Sequence, residues 1–391
     1  MSSGITLSSA TRQNLLSLQD TASLTSTTQN RLATGLKVSS ALDSPVNFFT
    51  AQSLSNRSAD LGGLLDSISN GVQVIQAANQ GITSIQKLID SAKSTASQAL
   101  STQVSTTGTA STDFAGSAST VAFYVNGTAK STTLLATDTI DSAITKLNTS
   151  AGSTMFSKDT SGKRIVLNAG ADVEFKDTGS QTALGFATGG TGTTDKYGTG
   201  NSTVGQSGDL TVSGVDARKK LADQFNSLLT QITQLSKDAS FNGVNLISNG
   251  DASNKLHIAF NEKDTSNLDV QGQDLTASGL KLNAITAGTS GTGNFLLDAD
   301  IKTTLTSLSG ASDTLRSASS TFGSNLSVVQ NRQSFSKNLI NVLDTGAANL
   351  TNADLNVEAA NSQALTTRQS LGISALSLAN QAQQSILQLL R

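Results

Sequence analysis

The chain of 391 residues has no cysteine and no tryptophan, one proline (Pro45) and one histidine (His257). Without cysteine there is neither a disulfide framework nor a thiolate metal site. A single histidine leaves no second imidazole for a metal set and makes a triad a poor reading. Its place in the alternating run Leu256-His-Ile-Ala-Phe260 reads as the outward face of a half-buried strand. Aromatics are 4% of the chain, so any core must rest on Leu, Ile, Val and Ala, which suits long helix bundles better than a compact globule.

Charge is equally uninformative about partners. A formal net charge of -2 provides no basic surface for nucleic acid and no acidic tail. No apolar run approaches the ~20 residues of a membrane span, and the opening residues lack the basic start and apolar block of a cleaved secretory signal. Neither nucleic-acid binding nor membrane insertion is expected. Asp251, Asp298 and Asp300 lack the spacing of a calcium loop and read as caps and turns. The glycine clusters, such as Gly189-Gly-Thr-Gly192, contain no phosphate-cradling motif and read as linkers. No cofactor, metal or catalytic group is expected.

What the chain does contain is helical periodicity. Leu15, Leu18, Ala22, Leu32 and Leu36 lie on a 3-4 stripe whose gaps are Thr25 and Gln29. Near the other end Leu365, Gly372, Leu376, Ala379, Ile386 and Leu390 repeat that spacing, with Gln369 and Gln383 in the gaps and Ile373 and Leu387 beside it. A lone helix of this kind is marginal in water, because its stability comes from packing its apolar face. Residues 359–391 carry two charges, Arg368 and Arg391, so the opposite face is poorly suited to staying solvated. Either each stripe belongs to a monomer core, or both termini are buried between subunits; the pairing of two such ends favours the second reading.

Between the ends the spacing predicts a helix from Pro45 to about residue 98, with Leu54, Leu61, Leu65, Ile68, Val72, Ile75, Ile82 and Ile89 on one stripe and Ser58, Asn79 and Gln86 as polar interruptions. Ser44-Pro45 reads as its N-terminal cap and Gly35 as the stop of the helix before it. Such a helix reaches about 80 Å and needs neighbours. Stripes at Leu221, Phe225, Leu228, Ile232 and Leu235, and from Ile301 through Leu343, supply them. Phe241-Asn-Gly-Val carries a turn signal. Residues 101–216 are rich in Ser, Thr and Gly, with strand-like pieces at Val121–Val125, Arg164–Asn168 and Val173–Phe175 and a short helix near Asp138–Leu147. They read as a small α+β domain between flexible linkers.

Three segments carry a resemblance. Arg31-Leu-Ala-Thr-Gly-Leu-Lys-Val-Ser-Ser-Ala-Leu-Asp43 resembles the N-terminal signature of bacterial flagellin at Arg31, Leu32, Gly35, Leu36, Ser40, Ala41 and Asp43. Asn380, Gln381, Gln384, Leu387, Leu389, Leu390 and Arg391 match that family's C-terminal signature, and Phe241-Asn-Gly its rod turn. The resemblance spans roughly residues 10 to 100 and 217 to 391.

The resemblance implies a mainly α fold with an α+β insertion: a long coiled-coil-like bundle from both ends of the chain, a small hairpin region and an inserted surface domain. Residues 1–40 and 352–391 would form terminal helices in the filament's inner core. Residues 41–100 and 217–351 would form the rod, and 101–216 the exposed domain. It also implies a structural, non-enzymatic subunit of the extracellular flagellar filament. Subunit packing would fall to Leu15, Leu18, Arg31, Leu32, Gly35, Leu36, Leu376, Ala379, Gln383, Ile386, Leu387 and Leu390. Implied partners are other subunits, hook-filament junction and cap proteins, and an export chaperone with the flagellar secretion apparatus. A junction protein is the nearest alternative. An enzymatic insertion is remote, because no His-Glu-x-x-His occurs.

Overall fold

The computed structural model describes residues 9–189, 206–285 and 295–389. Helices dominate: α1 (Ser9–Thr34), α2 (Pro45–Ser101), α5 (Val215–Asp238), α6 (Asp298–Thr351) and α7 (Leu355–Leu389). In α2, Leu61, Ile68, Ile75, Ile82 and Ile89 are buried at every seventh position, and in α6 the same holds for Ile301, Leu308, Leu315, Phe322, Val329, Ser336 and Leu343. A seven-residue comb keeps one seam turned inward, which is how helices this long remain packed with few aromatics. Ser44 and Pro45 open α2 as expected, the Ser44 carbonyl accepting the N–H of Phe48 at 2.9 Å. Among the described residues no helix is long and apolar enough to cross a membrane.

The contacts divide the chain into two units. One comprises residues 1–69, 259–267 and 331–391, and the other residues 70–258 and 268–330. This division cuts through α2 and α6.

Within the second unit lies the inserted domain. It has two sheets, β4-β5-β1-β7 and β3-β2-β6, built from β1 (Ser105–Thr109), β2 (Ser119–Val125), β3 (Thr128–Leu134), β4 (Phe156–Lys158), β5 (Ile165–Ala169), β6 (Val173–Phe175) and β7 (Leu210–Ser213). β2 and β3 are joined by Asn126-Gly127, both at positive φ as a two-residue hairpin turn requires. Helix α3 (Ile140–Ala151) is capped by the Thr139 hydroxyl and stopped by Gly152. Its Ala143 and Leu147 join a core of Phe123, Phe156, Phe175, Phe186 and Leu167, with Phe123 and Phe156 edge to face at 5.6 Å. A short α4 (Thr178–Ala183) follows β6.

The insertion leaves the helices at adjacent points. At Gly214 a Cβ would stand 2.1 Å from the Gln103 carbonyl oxygen, so the two chain crossings touch. Arg218, 4% exposed, secures this base. Its Nε donates to the Thr102 carbonyl at 2.7 Å, its Nη1 to that of Leu296 at 2.8 Å, and its Nη2 pairs with Asp298 at 2.8 Å. β8 (Lys255–Ala259) and β9 (Asn267–Gln271) pair as a hairpin. Phe241 and Val244 close the Asn242-Gly243 turn. His257 is exposed on β8, its Nδ1 2.5 Å from Asp269. Among the described residues no group of acids and histidines is arranged to hold a metal.

Candidate subunit interface

The terminal helices α1 and α7 pack along each other in the first unit. Leu18 meets Gly372 and Arg31 meets Glu358, so the two helices run antiparallel. Their seam takes Thr11, Asn14, Leu18, Thr21, Thr25, Thr28 and Leu32 from α1, and Glu358, Ser362, Leu365, Gln369, Gly372, Leu376 and Ala379 from α7. On α7 this is the stripe expected from the sequence. On α1 the seam lies one residue to the side: Leu15 is 41% exposed, and Ala22 and Gln29 are open. Threonine replaces leucine because its hydroxyl is satisfied within its own helix, Thr21 donating to the Ser17 carbonyl and Thr25 to that of Thr21, both at 2.7 Å. The methyl group is then free to pack.

α1 ends beside the junction where α6 ends and α7 begins, and the two helix breaks are bonded to each other. Gly35 at φ +71 ends α1, a conformation that favours glycine. Its carbonyl accepts the N–H of Ala353 at 2.8 Å, Leu36 bridges Asn352, and the N–H groups of Lys37 and Val38 donate to the Thr351 carbonyl. The loop to α2 is closed by Asp43, which accepts from the N–H groups of Ser40 and Ser39 at 2.9 Å. These bonds, that from Ser40 the largest, hold the Asp43 carboxyl below the usual carboxylate range. Arg31 and Glu358 form an ion pair at 3.1 Å just inside the stops.

The expected packing residues thus divide. Leu18, Arg31, Leu32, Leu376 and Ala379 lie along the α1–α7 seam, and Gly35 and Leu36 join the paired stops. Leu15 faces away from it. Gln383, Ile386 and Leu387 are on the α7 backbone, but their side chains lie outside the described residues, as does Leu390 altogether. Sequence reasoning missed Glu358, whose one signal was an acid in the first turn of a helix otherwise nearly free of charge.

A second, open surface completes the site. Leu16, Leu24, Leu371, Ile373 and Leu378 stand outward on the terminal pair, and Leu42, Val46, Phe49, Phe335 and Val342 stand outward elsewhere in the same unit. Among the described residues, the exposed large apolar side chains of the other unit are Leu135 and Val328. Scattered exposed leucines are ordinary, and their gathering in one unit makes it the candidate for an interaction surface.

The chain thus combines an antiparallel pair of helices, long helices with a seven-residue comb and an inserted α+β domain. The model of the bacterial flagellin N-terminal helical region matches residues 5–116, and that of the C-terminal helical region matches residues 305–390. Flagellin FljM of Caulobacter vibrioides is 37% identical over 171 residues, which are 44% of this chain and 59% of FljM. Flagellin FljK of the same organism is 33% identical over an equal length. Flagellin A of Rhizobium meliloti is 25% identical over 96% of this chain and 97% of its own. The chain spans 59% of the length of the Caulobacter relatives it matches. It belongs to the bacterial flagellin family.

Proposed function

We propose that this chain is the structural subunit of a bacterial flagellar filament, polymerising with copies of itself outside the cell to serve swimming motility. The observation that carries this reading is the concentration of exposed leucine, valine and phenylalanine in the unit that holds both chain termini. A patch that binds a different patch on the next copy propagates an open helix rather than a closed ring. Residues 1–40 and 352–391 pack in the inner core, residues 41–100 and 217–351 form the rod, and 101–216 face outward. Leu15, Leu18, Arg31, Leu32, Gly35, Leu36, Leu376, Ala379, Gln383, Ile386, Leu387 and Leu390 serve packing in the polymer. Junction and cap proteins bound the filament's ends, and an export chaperone and the flagellar secretion apparatus deliver the subunit. The reading assigns no catalytic group. The relatives favour flagellin over the junction-protein alternative.

Leu378, 70% exposed, tests it. Burying a leucine contributes roughly 1.5–3 kcal/mol, and a carboxylate in a desolvated seam costs more. Leu378→Asp therefore abolishes sedimentable filaments while leaving the thermal melting of the monomer unchanged. Filaments that form normally from this variant overturn the assignment of this surface to assembly.

A further inference from the structure

Along their described lengths the terminal helices α1 and α7 carry five charges: Arg12, Asp20, Arg31, Glu358 and Arg368. Arg31 and Glu358 answer each other within the chain. Because Leu18 meets Gly372, Asp20 and Arg368 stand at nearly the same level of the antiparallel pair. They nevertheless form no ion pair, and among the described residues neither has another partner. Both are exposed. Asp20 lies on the open side of α1, one turn after Leu16, which is 60% exposed. Arg368 stands instead at the flank where the two helices meet, on a groove of about 320 Å³ that Leu24, Ala364 and Leu365 also line. Arg31 and Glu358 line it too and cancel, so Arg368 leaves the groove with a net positive charge.

We propose that Asp20 of one copy of the chain enters this groove on the next copy and pairs there with Arg368, while Leu16 packs beside it on the apolar wall. The inference rests on the polymerising reading above and names the contact that the terminal helices make. Packing one terminal pair against another removes water from both faces, and a charge left unpaired there is costly. Asp20 is the one acid of the pair without a partner in its own chain, and the groove offers the opposite charge beside an apolar surface. The two patches differ, as an open helical polymer requires. A charge pair of this kind fixes register and partner choice more than affinity.

The test reverses the charges in full-length chains and reads the critical concentration for polymerisation. Asp20→Arg and Arg368→Asp should each raise it roughly ten-fold, since like charges then face each other across the contact. Neither should change the thermal melting of the monomer, in which both side chains are open. An equal mixture of the two variants should polymerise at close to the wild-type concentration, because in alternating order every junction again joins an acid to a base. Mixing cannot mend a pair that belongs within one chain, so a mixture no better than its components overturns the inference, as do single variants that polymerise like the wild type. Rescue of Asp20→Arg by Arg12→Asp in place of Arg368→Asp overturns it too, setting the acid against Arg12 instead. A wild-type chain that never forms filaments overturns the polymerising reading.

Discussion

Leu18 of α1 lies so close to Gly372 of α7 that a Cβ on the glycine would stand 2.8 Å from the Leu18 Cδ2 atom. The missing side chain at Gly372 is the space that the Leu18 side chain fills. The neighbouring atom belongs to the end of a side chain that is only half-buried. A single methyl at 372 is therefore accommodated by a rotamer change, whereas a branched residue is not. Gly372→Val should weaken the pair by roughly 1–3 kcal/mol, and Leu18→Ala in the same chain should restore part of the loss. Thermal disassembly of filaments of the three variants measures both effects; a Leu18→Ala/Gly372→Val chain no better than Gly372→Val alone counts against the contact.

Arg218 offers a second prediction. Its guanidinium spans the carbonyls of Thr102 and Leu296 and the carboxylate of Asp298, three acceptors that only a planar fork reaches together. Arg218→Met should cost on the order of 3 kcal/mol by leaving buried carbonyls unpaired, seen as a lower midpoint in thermal unfolding. Arg218→Lys should recover a minor part of this.

The buried Asp172 makes the inserted domain sensitive to pH. Burial, unrelieved by any partner for its Oδ1, pushes its carboxyl from the ordinary 3.8 up to about 7. The native state thus holds a proton that the unfolded chain has lost. The stabilising contribution is fully present below about pH 4, declines as pH rises and is gone above about pH 7. Asp172→Asn should remove this decline. Melting of the wild type and the variant between pH 4 and 8 measures it, and parallel curves would assign the pH dependence elsewhere.

Because Gln103 and Gly214 touch, the residues between them can be removed without opening a gap. Deletion of residues 105–213 should leave a chain that still forms filaments, since the open apolar surface lies elsewhere and surface insertions are tolerated at closed bases. Electron microscopy of the deletion product, with export verified, provides the readout. Exported protein without filaments would give the inserted domain a role in holding subunits together.

Much of this architecture was legible in the sequence, and the exceptions share a cause. The isoleucines of α2 at positions 68, 75, 82 and 89 announce their helix because each is apolar and each is buried. Strand β1, Ser105-Thr-Thr-Gly-Thr109, announces nothing: it has no large apolar residue and exists because β5 and β7 bond it on both sides. The α1 seam misleads for a related reason. Apolar counting selects Leu15 and Ala22, which face outward, and overlooks Thr21 and Thr28, which are buried. Likewise Glu358 stands out only once Arg31, more than three hundred residues earlier, is brought beside it.

The threonines of α1 have one further consequence. Since Thr21 and Thr25 discharge their hydroxyls onto carbonyls of their own helix, parting α1 from α7 strands neither of those groups in a new environment without a partner. A leucine zipper resists separation by the water it must readmit, and a cross-bonded polar core by the bonds it must break. In this seam the cost of separation falls on Leu18, Leu32, Leu365 and Leu376 and on the Arg31–Glu358 pair, and none of it on the hydroxyls of Thr21 and Thr25.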